Sequence, residues 1–221
     1  MVDILDEIAE DLRQERALRL VRRYGGLLVA AAILVLIGVG AQQYWQARQA
    51  RLANTAATQY LALTQQVDQP EGGAAPAQAA ETAQALLEFA ARAPGDYQAL
   101  ARLRAAALYA GARQRDQAER LWTQIGADAA TPALLRDAAT LLWAQHALGE
   151  AKDADILARL QPLAQARNPY HGLAREMQAL VYLHEGNQPM AKSLFTQLQN
   201  DPATPQGARN RAQAMLAKLN G

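Results

Sequence analysis

Few residues in this sequence could carry covalent or acid–base chemistry, and their spacing does not assemble a site. Nucleophilic catalysis needs a Ser, Cys or Thr beside an activating base. The chain has no cysteine, and its one serine, Ser193, sits inside a helical pattern. His146, His171 and His184 show no His-x3-His or related metal-ligand spacing. Asp153 and Asp155 are two positions apart, so on a helix their carboxylates point to different sides. Gly72-Gly73 lies among prolines and is not followed by the Gly-Lys-Ser/Thr that a phosphate loop requires. The reading is a protein that is not an enzyme and that uses no cofactor and no metal. A formal net charge of +1 supplies no field to gather nucleic acid. Side chains outside one apolar stretch must therefore act by shape, on other proteins.

Alanine, leucine, glutamine and arginine dominate while β-branched and aromatic residues are sparse, which favours an all-α fold. The apolar stretch, Gly25 to Ala41, carries no charge and is flanked by Tyr24 and by Tyr44-Trp45. At 1.5 Å per residue, Tyr24 to Tyr44 covers roughly 30 Å, the hydrocarbon thickness of a bilayer, with aromatics at headgroup depth. One transmembrane helix over 24–45 is expected. A cleaved signal peptide fits less well, although Val39-Gly40-Ala41 resembles a cleavage site: six acids precede the stretch, where a short basic segment should stand. Five arginines (Arg13, Arg16, Arg19, Arg22, Arg23) lie before the span, against Arg48 and Arg51 close after it. The positive-inside rule then keeps residues 1–23 cytoplasmic and puts 46–221 in the periplasm of a bacterial inner membrane.

Within 1–23, Ile4, Ile8 and Leu12 recur at i, i+4, i+8 with Leu5 beside them, an amphipathic helix for a partner or the membrane surface. Gly26-x3-Ala30 is a small-xxx-small pattern that permits span packing. After the span, a helix is expected from Ala47 to Val67, broken by the Pro/Gly-rich stretch Asp68 to Pro76. Further on, breakers at 93–96, 110–111, 126–132, 149, 168–169, 185–187 and 201–205 divide the chain into about eight antiparallel helices.

Repeated spacing identifies the kind of array. Ala106-x2-Tyr109-x8-Ala118-x3-Trp122 and Ala179-x2-Tyr182-x8-Ala191-x3-Phe195 are identical in spacing and 73 residues apart, about two periods of a helix-pair repeat. Small residues let paired helices approach and aromatics fill the gap between them, which is the tetratricopeptide pattern. Ala57 and Tyr60 with Ala85 and Phe89 form a third unit. The segment Asp137 to Gln165, with Leu142, Trp143, Leu157, Leu160 and Leu163, occupies the register of a fourth. Stacked pairs curve, and the first helix of each pair lines the concave face. In this register that face carries Leu100, Leu103, Ala107 and Ala110 in one unit, and Leu173, Glu176, Leu180, Leu183 and His184 in another. The face is apolar enough to hold a partner segment, but the chain's own C-terminal helix, Gln206 to Leu219, is its expected cover. Arg102, Arg104, Arg113 and Arg115 form a basic cluster, read as a solvated helical face.

An acidic amphipathic N-terminus, the Arg22-Arg23-Tyr24-Gly25 entry, one apolar span ending near Tyr44-Trp45 and about four repeat units together resemble the YfgM-type ancillary subunit of the SecYEG translocon. The resemblance implies a membrane-anchored scaffold that links the translocon to a PpiD-like periplasmic chaperone and serves newly exported polypeptides. It supplies no catalytic positions. An assembly adaptor for another cell-envelope complex has the same layout.

Overall fold

The computed structural model describes the backbone of residues 3–65, 67 and 75–220, and side chains from Ile33 onward. Two compact units divide the chain, Met1–Asn54 and Thr55–Gly221, the boundary falling inside the first helix. Among the described residues every regular element is helical.

In the first unit α1 (Asp3–Gln65) carries Ile33, Leu34, Val35, Leu36, Ile37 and Val39 in succession, each about half exposed or more. Among the described residues no helix is long and apolar enough to cross a membrane. The span expected at 24–45 begins outside the described side chains, as do the amphipathic face of 1–23 and the Gly26-x3-Ala30 pattern.

The second unit contains the end of α1 and then α2 (Pro76–Ala90), α3 (Asp96–Gly111), α4 (Arg115–Ala127), α5 (Ala133–Ala147), α6 (Asp153–Leu160), α7 (His171–His184), α8 (Gln188–Asn200) and α9 (Gln206–Asn220). From α2 onward each helix packs on the next, and α3, α5, α7 and α9 also touch in series. That is the adjacency of stacked hairpins whose first helices share one face. Alanines make the close approach possible. Ala83, Ala101, Ala105, Ala106, Ala139 and Ala144 have no exposed surface, and the gaps between their helices are filled by Leu86, Trp122, Ile125, Ile156 and Leu160. A smaller cluster, Ala179, Ala191, Phe195, Leu198 and Ala212, joins α7, α8 and α9.

The hairpins α3/α4 and α7/α8 are alike beyond the small-aromatic spacing. Trp122 and Phe195 are each 1% exposed and plug equivalent positions. Each hairpin closes with the same reverse bond, Gln114 N–H to Tyr109 C=O and Asn187 N–H to Tyr182 C=O, both 2.8 Å. This arrangement needs a left-handed residue one place earlier. Gly186 (φ 78°) provides it without strain, whereas Arg113 (φ 62°) does so against its Cβ. After each second helix the chain reads Asp-x-x-Thr-Pro, at Asp128 to Pro132 and at Asp201 to Pro205. Asp128 Oδ1 accepts Ala130 N–H at 3.0 Å and Asp201 Oδ1 accepts Ala203 N–H at 2.9 Å, forming two matching turns. An arginine on the first helix clamps each turn: Arg102 Nη1 lies 3.2 Å from Asp128 Oδ2, and Arg175 Nη1 lies 3.7 Å from Asp201 Oδ2. The expected basic cluster is thus dispersed, since Arg102 belongs to this clamp and Arg115 pairs with Glu150.

The middle pair departs from this pattern. After α6 the chain meets Pro162 and Pro169, which cannot continue a helix hydrogen-bond ladder, so the second helix stays short and a run of turns follows. Leu160 and Leu163 still reach the core. Asn168 Nδ2 ties the turns to Asp137 on α5 at 2.7 Å, and the Arg175 Nε–H donates to Ala164 C=O at 3.1 Å.

Candidate protein-interaction surface

A groove of about 660 Å³ runs across α5, α7 and α9. Helical spacing explains its walls: Ala138, Leu141, Leu142 and Gln145 share one face of α5, and Leu173, Glu176, Met177 and Leu180 share one face of α7, with Tyr170 just before its first turn. Ala214 and Met215 line it from α9, and Phe195 contributes from α8. Its charged pair is Glu176 and Arg211, joined by two bonds of 2.6 and 2.7 Å in the parallel geometry of a guanidinium on a carboxylate. Glu176 raises the pKa of Arg211 above its ordinary value, through the hydrogen bond first and the opposite charge as well. Each group neutralises the other, and apart from Gln145 and the Tyr170 hydroxyl the rest of the wall is apolar.

The sequence-predicted residues divide between this groove and other places. Leu173, Glu176 and Leu180 line it. Leu183 is half-buried against the α7–α8–α9 cluster. His184 is exposed at the end of α7, where its Nδ1 lies 2.8 Å from Asp153 Oδ2 and fastens α7 to the start of α6. Leu100, Leu103, Ala107 and Ala110 lie half-buried along one stripe of α3; Leu103 and Ala110 pack against the main core, and none of the four lines the groove. Of the repeat-spacing residues, Ala106, Tyr109, Ala118, Trp122, Ala179, Ala191 and Phe195 are buried, and Tyr182 is half-buried beside the second cluster.

The expected cover turns out to be a wall. α9 packs on α8 through Ala208 and Ala212 and touches α7, taking the place of a further first helix. The groove between it and α5 is left open. Its α5 wall was missed because Asp137 to Gln165 lacks the small-aromatic spacing that fixes the face of a helix. The 3.6-residue recurrence of Ala138, Leu141, Leu142 and Gln145 was the available signal. Arg211 carried none, because its meaning depends on Glu176 of another hairpin.

Serial contact of α3, α5, α7 and α9 with an open apolar face is the geometry of a tetratricopeptide array. Residues 20–220 match the tetratricopeptide repeat-like domain. The chain belongs to the tetratricopeptide repeat-like family. No curated protein and no solved structure matches it. Tetratricopeptide repeat-like domains bind proteins, and among the described residues no group of histidines and carboxylates is placed to hold a metal.

Proposed function

We propose that this tetratricopeptide repeat-like protein is a membrane-anchored scaffold without catalytic activity, an accessory of the Sec translocon that links it to a PpiD-like periplasmic chaperone for newly exported polypeptides. In this reading residues 1–23 are cytoplasmic, 24–45 span the inner membrane once, and 46–221 form the periplasmic domain. The observation that carries the interaction role is the open apolar groove across α5, α7 and α9. Such a surface is unfavourable in water unless something binds it. Membrane anchoring is supported by the exposed run from Ile33 to Val39 and by the arginine excess before it.

A photo-crosslinking side chain at Leu173, used in intact cells and followed by purification in mild detergent, tests both parts. SecY or a PpiD-like isomerase in the crosslinked products supports the translocon reading. Cell-wall or outer-membrane assembly factors in their place would establish the adaptor alternative. Loss of the protein from the membrane fraction on alkaline extraction would remove the anchor.

A further inference from the structure

The polar groups of the groove restrict what can lie in it. Leu141, Leu142, Leu173, Leu180 and Met215, all half-buried, converge on it from α5, α7 and α9. Within these helices the backbone N–H and C=O groups bond to one another one turn away. Besides the Glu176–Arg211 pair, the polar side chains of the lining are Gln145 and Tyr170. An extended segment would press a run of unpaired backbone N–H and C=O groups against this wall, more than two side chains can serve, and each unserved group is costly. A helix satisfies its own backbone and presents only side chains.

Space and charge narrow the occupant further. α5 and α9 each touch α7 and do not touch one another. Packed helices lie about 8–10 Å apart, so the trough over α7 has room for one more. The Glu176 side chain is 12% exposed with both carboxylate oxygens bonded to Arg211, whereas the Arg211 side chain is 59% exposed. The pair engages Nε and Nη2 of Arg211 and leaves Nη1 outside it. The charge that the groove shows to a partner is therefore positive, although the pair as a whole is neutral, and its complement is an acidic side chain.

We propose that the groove takes an amphipathic α-helix of its partner, seated over α7 with an apolar stripe at i, i+3, i+4 and i+7 against the leucines and an acidic side chain beside that stripe against Arg211. This rests on the groove being the interaction surface and adds the conformation and charge of what binds there. It does not depend on which complex supplies the helix.

The test titrates the full chain, held in lipid nanodiscs and labelled at its methionine methyls, with a peptide of about 14 residues stapled as a helix on its polar side, with leucines at i, i+3, i+4 and i+7 and a glutamate beside them. A second, unstapled peptide of the same composition alternates leucine with polar residues, so it has an apolar face only when extended. Met177 and Met215 line the groove and Met190 is exposed outside it, so their methyl resonances separate groove binding from non-specific association. The stapled peptide is expected to move Met177 and Met215 saturably and to leave Met190 in place. The alternating peptide is expected to bind at least about tenfold more weakly, and exchange of the glutamate for lysine to weaken binding about threefold. Unmoved Met177 and Met215, Met190 moving with them, equal or tighter binding of the alternating peptide, or no loss with lysine would overturn the proposal. Crosslinking from Leu173 in cells needs neither peptide and judges the interaction surface separately: a crosslinked partner together with preference for the alternating peptide would keep the groove and remove the helix.

Discussion

Asp128 and Asp201 concentrate much of the local order in single carboxylates. Each satisfies a backbone N–H in its turn and faces an arginine on the first helix of its hairpin. Both are held below the ordinary carboxylate value of 3.8, by the backbone hydrogen bond first and with help from the side chains around them. A carboxylate with a lowered folded-state pKa binds fewer protons folded than unfolded, so its contribution is present above the unfolded value and fades as pH falls through the folded one. Asp201→Asn is therefore expected to lower the melting temperature at pH 7, with the difference from the parent shrinking as the pH falls below the ordinary carboxylate value of 3.8, as followed by circular dichroism. Trp122 and Phe195 act through packing. Replacing either by alanine leaves a large void and is expected to cost about 3–5 kcal/mol in urea unfolding.

Among the helices, the junctions distinguish the two matched hairpins. Arg113 and Gly186 occupy the same left-handed position in equivalent turns. Arg113→Gly should relieve backbone strain and stabilise the fold by up to about 1 kcal/mol, whereas Gly186→Ala should destabilise it by a similar amount. Both are read in one series of thermal melts. At the start of α7, a Cβ on Gly172 would sit 3.2 Å from Pro205 Cδ and 3.3 Å from Thr204 Oγ1, with backbone Thr204 Cα at 3.4 Å. Alanine there must push the α8–α9 turn away, at an expected cost of about 1–3 kcal/mol despite its better helix propensity. If Gly172→Ala stabilises in a urea titration, the turn is more yielding than its burial indicates.

For the whole second unit, the relevant quantity is the continuity of first helices from α5 to α9, which turns separate apolar stripes into one surface. Leu173→Glu places a charge in the middle of the groove at a half-buried position. It is expected to abolish partner crosslinking from a probe placed at Leu141 while leaving helix content unchanged. Retained crosslinking in a folded variant would place the binding surface elsewhere. Breaking the pair with Arg211→Ala leaves Glu176 unneutralised beside apolar walls and should weaken capture of an apolar segment in the same assay.

Helix class, breaker positions and the two matched hairpins were legible in the chain because they depend on local properties: propensity, proline and glycine chemistry, and small and aromatic residues at fixed spacing. The repeat of Asp-x-x-Thr-Pro was equally present in the sequence, but its role emerged only when Arg102 and Arg175 were seen against it. The fourth unit was legible in register and not in face, since Pro162 cuts α6 short and its contacts are completed by turns. Neither the Glu176–Arg211 pair nor the α9 wall could be read locally. The pair unites residues 35 apart and the wall brings α9 opposite α5, neighbourhoods set by how hairpins stack, and that packing left the groove open where the sequence suggested a cover.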